Sequence, residues 1–284
     1  MTVDSLKVEF HRMFVPRMCL AILLAPILTG CASPRVWIEE TQTIRVAAEQ
    51  LESLEIQSHN GDISMSGDSA ATELRVVLKA RFGGVTTASA EACKAAVEIA
   101  SETLPGGQHR ILSKWLKPKA PDWQLCTEFT VVGPPRLVTT FISHNGNITL
   151  KDVTAATQLT THNGNIIVKS ESPSLQILTH NGDIDAVAPA KTVHLESHNG
   201  NVRMNASASP EIGGEMTTHN GTIIATFSER TATRLSCRTH NGRIRWSIPW
   251  NLTSFDRRSA EAVLADGDSQ LTIESHNGNI VLQK

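Results

Sequence analysis

The sequence predicts an all-β fold: a single-domain β-solenoid of stacked parallel coils of about 18–21 residues, with one inserted helix and a capping strand region near its N-terminus. Three observations carry that prediction. A six-residue motif recurs eight times, its spacing is nearly constant, and apolar residues alternate around it with period two.

The motif reads Ser or Thr, His, Asn, Gly, a variable residue, then Ile or Val. Its copies begin at Ser58, Ser143, Thr161, Thr179, Ser197, Thr218, Thr239 and Ser275. From His144 to His198 the histidines recur every 18 residues; the next two gaps are 21 and the last, to His276, is 36.

Alternation identifies the inward face. Three residues before each histidine stand Ile56, Phe141, Leu159, Ile177, Leu195, Met216, Cys237 and Ile273, and four after it stands Ile or Val. Six after it the residue is again apolar, from Met65 and Leu150 to Trp246 and Leu282. Inward sites at −3, −1, +4 and +6 mean strand, two-residue break, strand, with one face buried.

The break consists of Asn60-Gly61, Asn145-Gly146, Asn163-Gly164, Asn181-Gly182, Asn199-Gly200, Asn220-Gly221, Asn241-Gly242 and Asn277-Gly278. Both residue types tolerate positive φ, which suits a bend. An isolated Asn-Gly would normally mark a β-hairpin, but repeated units of equal length favour a chain that bends and climbs. Each coil then lies on its predecessor about 4.8 Å away and equal residues stack. The −1 hydroxyl faces inward beside the bend, placed to bond backbone groups that the turn leaves unpaired.

The interruptions supply the rest. Residues 72–135 read as a helix-containing insertion that caps the open N-terminal end, because an exposed terminal coil presents unpaired edge groups. Within it Thr72–Phe82 alternates like a strand. Ala88–Leu104 is alanine-rich with helical spacing and stops at Pro105-Gly106-Gly107. His109–Leu116 and Gln124–Val132 read as further strands. Cys93 and Cys126 are the candidate disulfide, while Cys237 occupies an inward site as a small hydrophobe. The gap from Trp246 to Thr272 is either a coil without the motif or a long loop.

The N-terminus reads as a targeting segment. Arg12 and Arg17 precede an apolar run from Met18 to Leu28, too short to span a bilayer. Leu28-Thr29-Gly30-Cys31 follows, which resembles the bacterial lipobox; residues 1–30 are then a lipoprotein signal peptide, with translation starting at Met1 or Met13. Cys31 is the acylated residue, and residues 31–50 form a linker to the domain at 51–284. Cys31 is followed by Ala32 rather than aspartate, which by analogy with enteric bacteria favours the outer membrane of the cell envelope. Removing Lys7, Arg12, Arg17, Asp4 and Glu9 with the leader leaves 23 basic and 26 acidic residues. Such a balance gives no electrostatic case for nucleic acid.

Beyond these features the chain resembles the bacterial putative-adhesin β-solenoid family, a domain of unknown function found in lipoproteins and membrane proteins. The resemblance rests on the repeated Gly-Asp/Asn-Ile units, an early insert with a helix, the segment Thr130–Ile142 running through a proline into the second repeat, and the ending Ala265–Ile280. It covers about Leu51 to Lys284 and implies the fold, with no functional residue to carry over. This chain departs from the family pattern in placing a histidine before every Asn-Gly.

Alternation puts those histidines outside, so stacked coils would line them up in a file. Imidazole is a ligand for zinc, nickel or copper, and neighbouring coils could each offer one from His144, His162, His180, His198, His219 or His240. Against a purpose-built site, the +3 position is variable and includes Arg243. Stacked imidazoles about 5 Å apart also repel when protonated, by about 0.8 kcal/mol per neighbouring pair even in water, so acid is expected to destabilise the stack. Catalysis needs non-repeated acids, bases or nucleophiles converging in a cleft; Asp122, Glu128, Asp256, Arg257 and Arg258 are instead scattered through interruptions. Trp115, Trp123, Trp246 and Trp250 read as core fillers or a carbohydrate-stacking patch. The sequence therefore points to a non-catalytic, lipid-anchored interaction or scaffolding module with a protein or polysaccharide partner and no cofactor, and alternatively to a metal-binding envelope lipoprotein.

Overall fold

The strands flanking each Asn-Gly go to different sheets, which settles how the repeat folds. In the His162 coil, Thr157–Asn163 pairs in parallel with Val138–Asn145 on one side and Ser174–Asn181 on the other, so Leu159 lies between Phe141 and Ile177. After the bend, Ile166–Lys169 does the same in the second sheet, between Ile148–Lys151 and Ile184–Val187. Each coil thus contributes one strand to each sheet, and the chain winds rather than folding back. The computed structural model describes residues 36–247 and 252–284. The expected signal peptide, Cys31 and Trp250 lie outside the described residues.

Burial follows the period-two reading. The −3, −1 and +4 residues of all eight motifs are buried, and of the +6 residues only Trp246 is partly exposed, packing against the core. The two sheets close over one continuous core running through every coil. Burying two or three aliphatic side chains per coil, at roughly 1.5–3 kcal/mol each, makes the stack cohere.

The N-terminal cap differs in three places from the sequence expectation. First, the helix is only Thr87–Lys94, with Thr86 Oγ1 accepting from Ser89 N at 3.1 Å, and Val97–Leu104 is a strand. That strand pairs antiparallel with Gln108–Trp115. The Pro105-Gly106-Gly107 stop is a hairpin turn, its two glycines at φ 87° and 76°. Cross-strand pairing overrides the alanine-rich propensity there. Second, the expected linker 31–50 contains the strand Val36–Ala47, paired residue by residue with Glu73–Gly84 and tucking Ile44 and Val46 against the core. Third, Gln108–Trp115 and Gln124–Gly133 pair in parallel with the two strands of the His59 coil, forming a rung that lacks the motif. Antiparallel strands then cover both sheets at this end.

The other end departs from simple winding. The described part of the gap after Trp246 is neither a motif-free coil nor a long loop: Leu252–Phe255 and Ser259–Leu264 form an antiparallel pair on the outer edge of Thr233–Thr239. The chain then returns, and Gln270–Ser275 lies between Gly213–Asn220 and Thr233–Thr239. The last coil is inserted between the His219 and His240 coils, so spatial order differs from chain order. Outward along the second sheet, the final edge is only Ile244–Trp246, with the Ile244 N–H taken by Arg257 O at 3.0 Å. Short, occupied edges resist pairing with other chains.

Candidate functional site: the imidazole file

Three rows of hydrogen bonds at the corner hold the histidines in register. Innermost, the −1 hydroxyl donates to the glycine carbonyl of the neighbouring coil: Thr179 Oγ1 to Gly164 O at 3.0 Å, Ser197 Oγ to Gly182 O at 2.9 Å, Thr218 Oγ1 to Gly200 O at 2.8 Å. This is the role that the sequence reading gave it. Next, each motif asparagine donates its side-chain amide to Oδ1 of the asparagine one rung away, at 2.7–2.8 Å, from Asn145 on Asn60 through to Asn241 on Asn277. Asn60 closes the row on Leu125 O at 2.9 Å. Outermost, the +3 side chains of Asp62, Asn147, Asn165, Asp183, Asn201 and Asn279 accept the +3 backbone N–H of the next rung, as Asn165 Oδ1 does from Asp183 N at 2.8 Å. That row explains Arg243. It occupies the last rung, donates its own N–H to Asn279 Oδ1 at 3.1 Å, and has no following rung for which its side chain must accept.

The glycines answer to these rows rather than to backbone conformation. The expectation of positive φ holds only at Gly61 among the eight motif glycines, and no motif asparagine adopts it. A Cβ built on Gly146, Gly164, Gly182, Gly200, Gly221, Gly242 or Gly278 would instead lie under 3.0 Å from the carbonyl of the glycine in the adjacent coil. Coil-to-coil approach, not bending, excludes a side chain. An asparagine ladder and a close-contact glycine row both leave a signal, the invariance of Asn-Gly across repeats, which a turn reading absorbs.

Above these rows the rings stack. In spatial order the file runs His59, His144, His162, His180, His198, His219, His276, His240, with centroids 4.6–5.1 Å apart and interplanar angles of 3–29°. All eight are exposed. Burial, then His198 and His162, hold His180 below the usual imidazole value; burial, then His144 and Lys119, do the same at His59. The two ends differ. Beyond His198 the file borders Glu196, Glu274 and Arg238, whereas around His59 and His144 stand Arg81, Lys119 and Trp37. Lone pairs of stacked imidazoles lie in parallel ring planes, and bonds of about 2.1 Å from two rings do not meet across such a gap without tilting them. Among the described residues no group of three or more metal-ligating side chains comes together.

The remaining candidates are dispersed. The expected disulfide is absent: Cys93 and Cys126 are free. Strand alternation separates them, since Leu125 shares the buried cluster under the helix with Cys93 while Cys126 faces the other way, toward Arg81 Nη2 at 3.6 Å. Cys237 is buried as a hydrophobe, and burial pushes its thiol up to about 12. Asp122 accepts from the Ser89 hydroxyl in the cap. Trp115 and Trp123 stack on each other at 6.1 Å and pack against the cap core. No described helix is long and apolar enough to cross a membrane.

The pattern of the repeat is shared with other proteins. The family model described as Toastrack DUF4097 matches residues 136–283, more than half of the sequence. The chain belongs to the Toastrack DUF4097 family. That match takes in seven of the eight histidines and leaves the N-terminal cap outside it. No curated protein matches the chain. Solved structures similar to this Toastrack chain include a "putative cell adhesion protein" from Clostridium sporogenes ATCC 15579, 12% identical with TM-score 0.39, covering 87% of this chain and all of that one. A "putative adhesin" from Bacteroides fragilis NCTC 9343 is 12% identical with TM-score 0.41, covering 86% and 97%. A "putative lipid binding protein" from Parabacteroides distasonis ATCC 8503 is 12% identical with TM-score 0.41, covering 87% and 96%.

Proposed function

We propose that this Toastrack chain is a non-catalytic, lipid-anchored protein of the bacterial cell envelope that acts as an adhesin-type interaction or scaffolding module. The observation that carries the reading is the file itself: eight exposed rings in one line, each from the same position of its coil, on a stack of paired coils. Equivalent contacts along a rigid line act through avidity, where each added contact multiplies retention without needing high affinity alone. The polar residues recur by rung rather than converging as acid, base and nucleophile, which argues for binding over turnover.

Two experiments test this. Metabolic labelling with an alkyne fatty acid should mark the wild-type chain and not a Cys31→Ala variant; equal labelling removes the anchor. Purified chain should be retained on isolated outer-membrane envelopes, and joint replacement of His162, His180 and His198 by Gln should release it. Retention that survives the triple replacement excludes the file as the contact. Equilibrium dialysis of the same protein against zinc and nickel examines the metal-binding alternative, which falls if less than about one ion binds per chain.

A further inference from the structure

The cap end of the file opens into a groove of about 550 Å³ whose walls come from four parts of the chain. Trp37 belongs to the first strand, Arg81, Gln124 and Cys126 to the cap sheet, Lys119 to the loop before Gln124, and His59 and His144 to the first two rungs. Two features set it apart. Its lining holds two permanent cations and no carboxylate, in a chain whose charges otherwise nearly cancel. The guanidinium is also fixed: Arg81 Cζ lies 5.2 Å above the Trp37 ring and Nη2 donates to Cys126 Sγ at 3.6 Å. A fixed fork loses little freedom when it takes a planar carboxylate.

The carboxylates nearest this fork are Glu39, directly across the strand pair from Arg81, and Glu128, two residues along from Cys126; both lie outside the groove lining. They offset part of the positive potential without filling the site. The volume is that of a small-ligand pocket. Indole, imidazole and amide groups beside cations are the chemistry that recognises a charged sugar, by stacking and by charge-assisted hydrogen bonds. The groove also has a continuation. His59 and His144 are 5.1 Å apart and begin the eight-ring file, so a polymer leaving the groove meets the same contact on every rung.

We infer that this groove is a binding site for a carboxylate-bearing sugar of an acidic polysaccharide, with Arg81 and Lys119 as its anchoring cations and Trp37, His59 and His144 as its walls. The inference rests on the interaction-module reading and names its ligand class.

The test uses trigalacturonate, long enough for the groove and too short for the file, with its methyl ester as an uncharged copy. Calorimetry should show binding of the acid and not of the ester. Replacing the exposed pair, Arg81→Gln with Lys119→Gln, should weaken binding by at least about tenfold. Arg245→Gln, on the edge strand Ile244–Trp246 at the far end of the stack, should leave it unchanged. Peptide-resolved alkylation supplies a second readout, since bound trisaccharide should slow modification of half-exposed Cys126 and leave buried Cys93 unaffected. Equal binding of the ester, an undiminished double variant, or equally tight binding of a short polyphosphate would each overturn the assignment. If trigalacturonate fails while envelope retention persists, the groove is wrong and the module reading stands; if both fail, both fall.

Discussion

The side-chain amide of Asn277 donates to Oδ1 of Asn220 at 2.8 Å, across 57 residues of chain. On its other side Asn277 accepts from Asn241, 36 residues earlier, at 2.7 Å. The last coil is therefore wedged between two coils that precede it in sequence. Deleting residues 270–284 would leave Gly213–Asn220 and Thr233–Thr239 facing each other with unpaired edges. Such a truncation is expected to lose the cooperative melting transition seen by circular dichroism. A truncated chain melting at the wild-type midpoint would show that the inserted coil is not integral.

The glycine row gives a second expectation. In Gly182→Ala the new methyl meets the Gly164 carbonyl, and neither backbone can move without disturbing the ladders on both sides. A loss of about 1–3 kcal/mol or more is expected in urea unfolding. A change below about 0.5 kcal/mol, typical of a neutral surface substitution, would refute the close-approach explanation.

The asparagine ladder predicts a positional gradient. Asn181 both donates to Asn163 and accepts from Asn199, whereas Asn241 ends the row with one ladder bond. At about 0.5–1.5 kcal/mol per hydrogen bond, Asn181→Ala should cost roughly twice what Asn241→Ala costs. Equal losses in parallel denaturation experiments would mean that the bonds do not act as a chain.

Acid should weaken the fold through three histidines. Buried His109 lies 2.9 Å from Thr103 Oγ1 and 3.1 Å from Ser101 Oγ, and burial holds its imidazole below the usual value. His59 and His180 in the file are held low by burial first and by their stacked neighbours second. Above about pH 6.5 these rings are neutral folded or unfolded. Below it the unfolded chain takes up protons that the folded chain refuses, so stability falls with falling pH. The melting temperature should drop between about pH 6.5 and 5, and a flat profile there would contradict the stack.

Thiol reactivity should separate the cysteines. Half-exposed Cys126 should alkylate in the native protein, while Cys93 and Cys237 should react only after unfolding, the latter slowed by a thiol raised to about 12. Recovery of a Cys93–Cys126 linked peptide from oxidised protein would restore the disulfide.

What was legible in the sequence was local and repeated. Leu159, Thr161, Ile166 and Val168 announce their burial because a strand alternates and the motif repeats that alternation eight times. What escaped depends on partners distant in sequence. Val97–Leu104 carries helical composition and becomes a strand because Gln108–Trp115 lies beside it. Val36–Ala47 is mostly exposed, and only Glu73–Gly84 makes it a strand. Insertion of the Asn277 coil leaves no local mark, since its motif reads like any other. The file was foreseeable once the coils were parallel. Its asymmetry was not, because Arg81 and Lys119 reach it from the cap and Glu196 and Glu274 from the −2 sites.

Antiparallel strands on the flanking rungs have a bearing on how such a molecule can change length. A duplicated 18-residue unit placed between the His162 and His180 coils would find both neighbours ready to receive it, extending every row by one. The same unit following the His276 coil in sequence would find that coil already occupied on each side. Growth or shrinkage of this stack is a matter for its middle, and the terminal rungs set a frame within which the number of rings can vary.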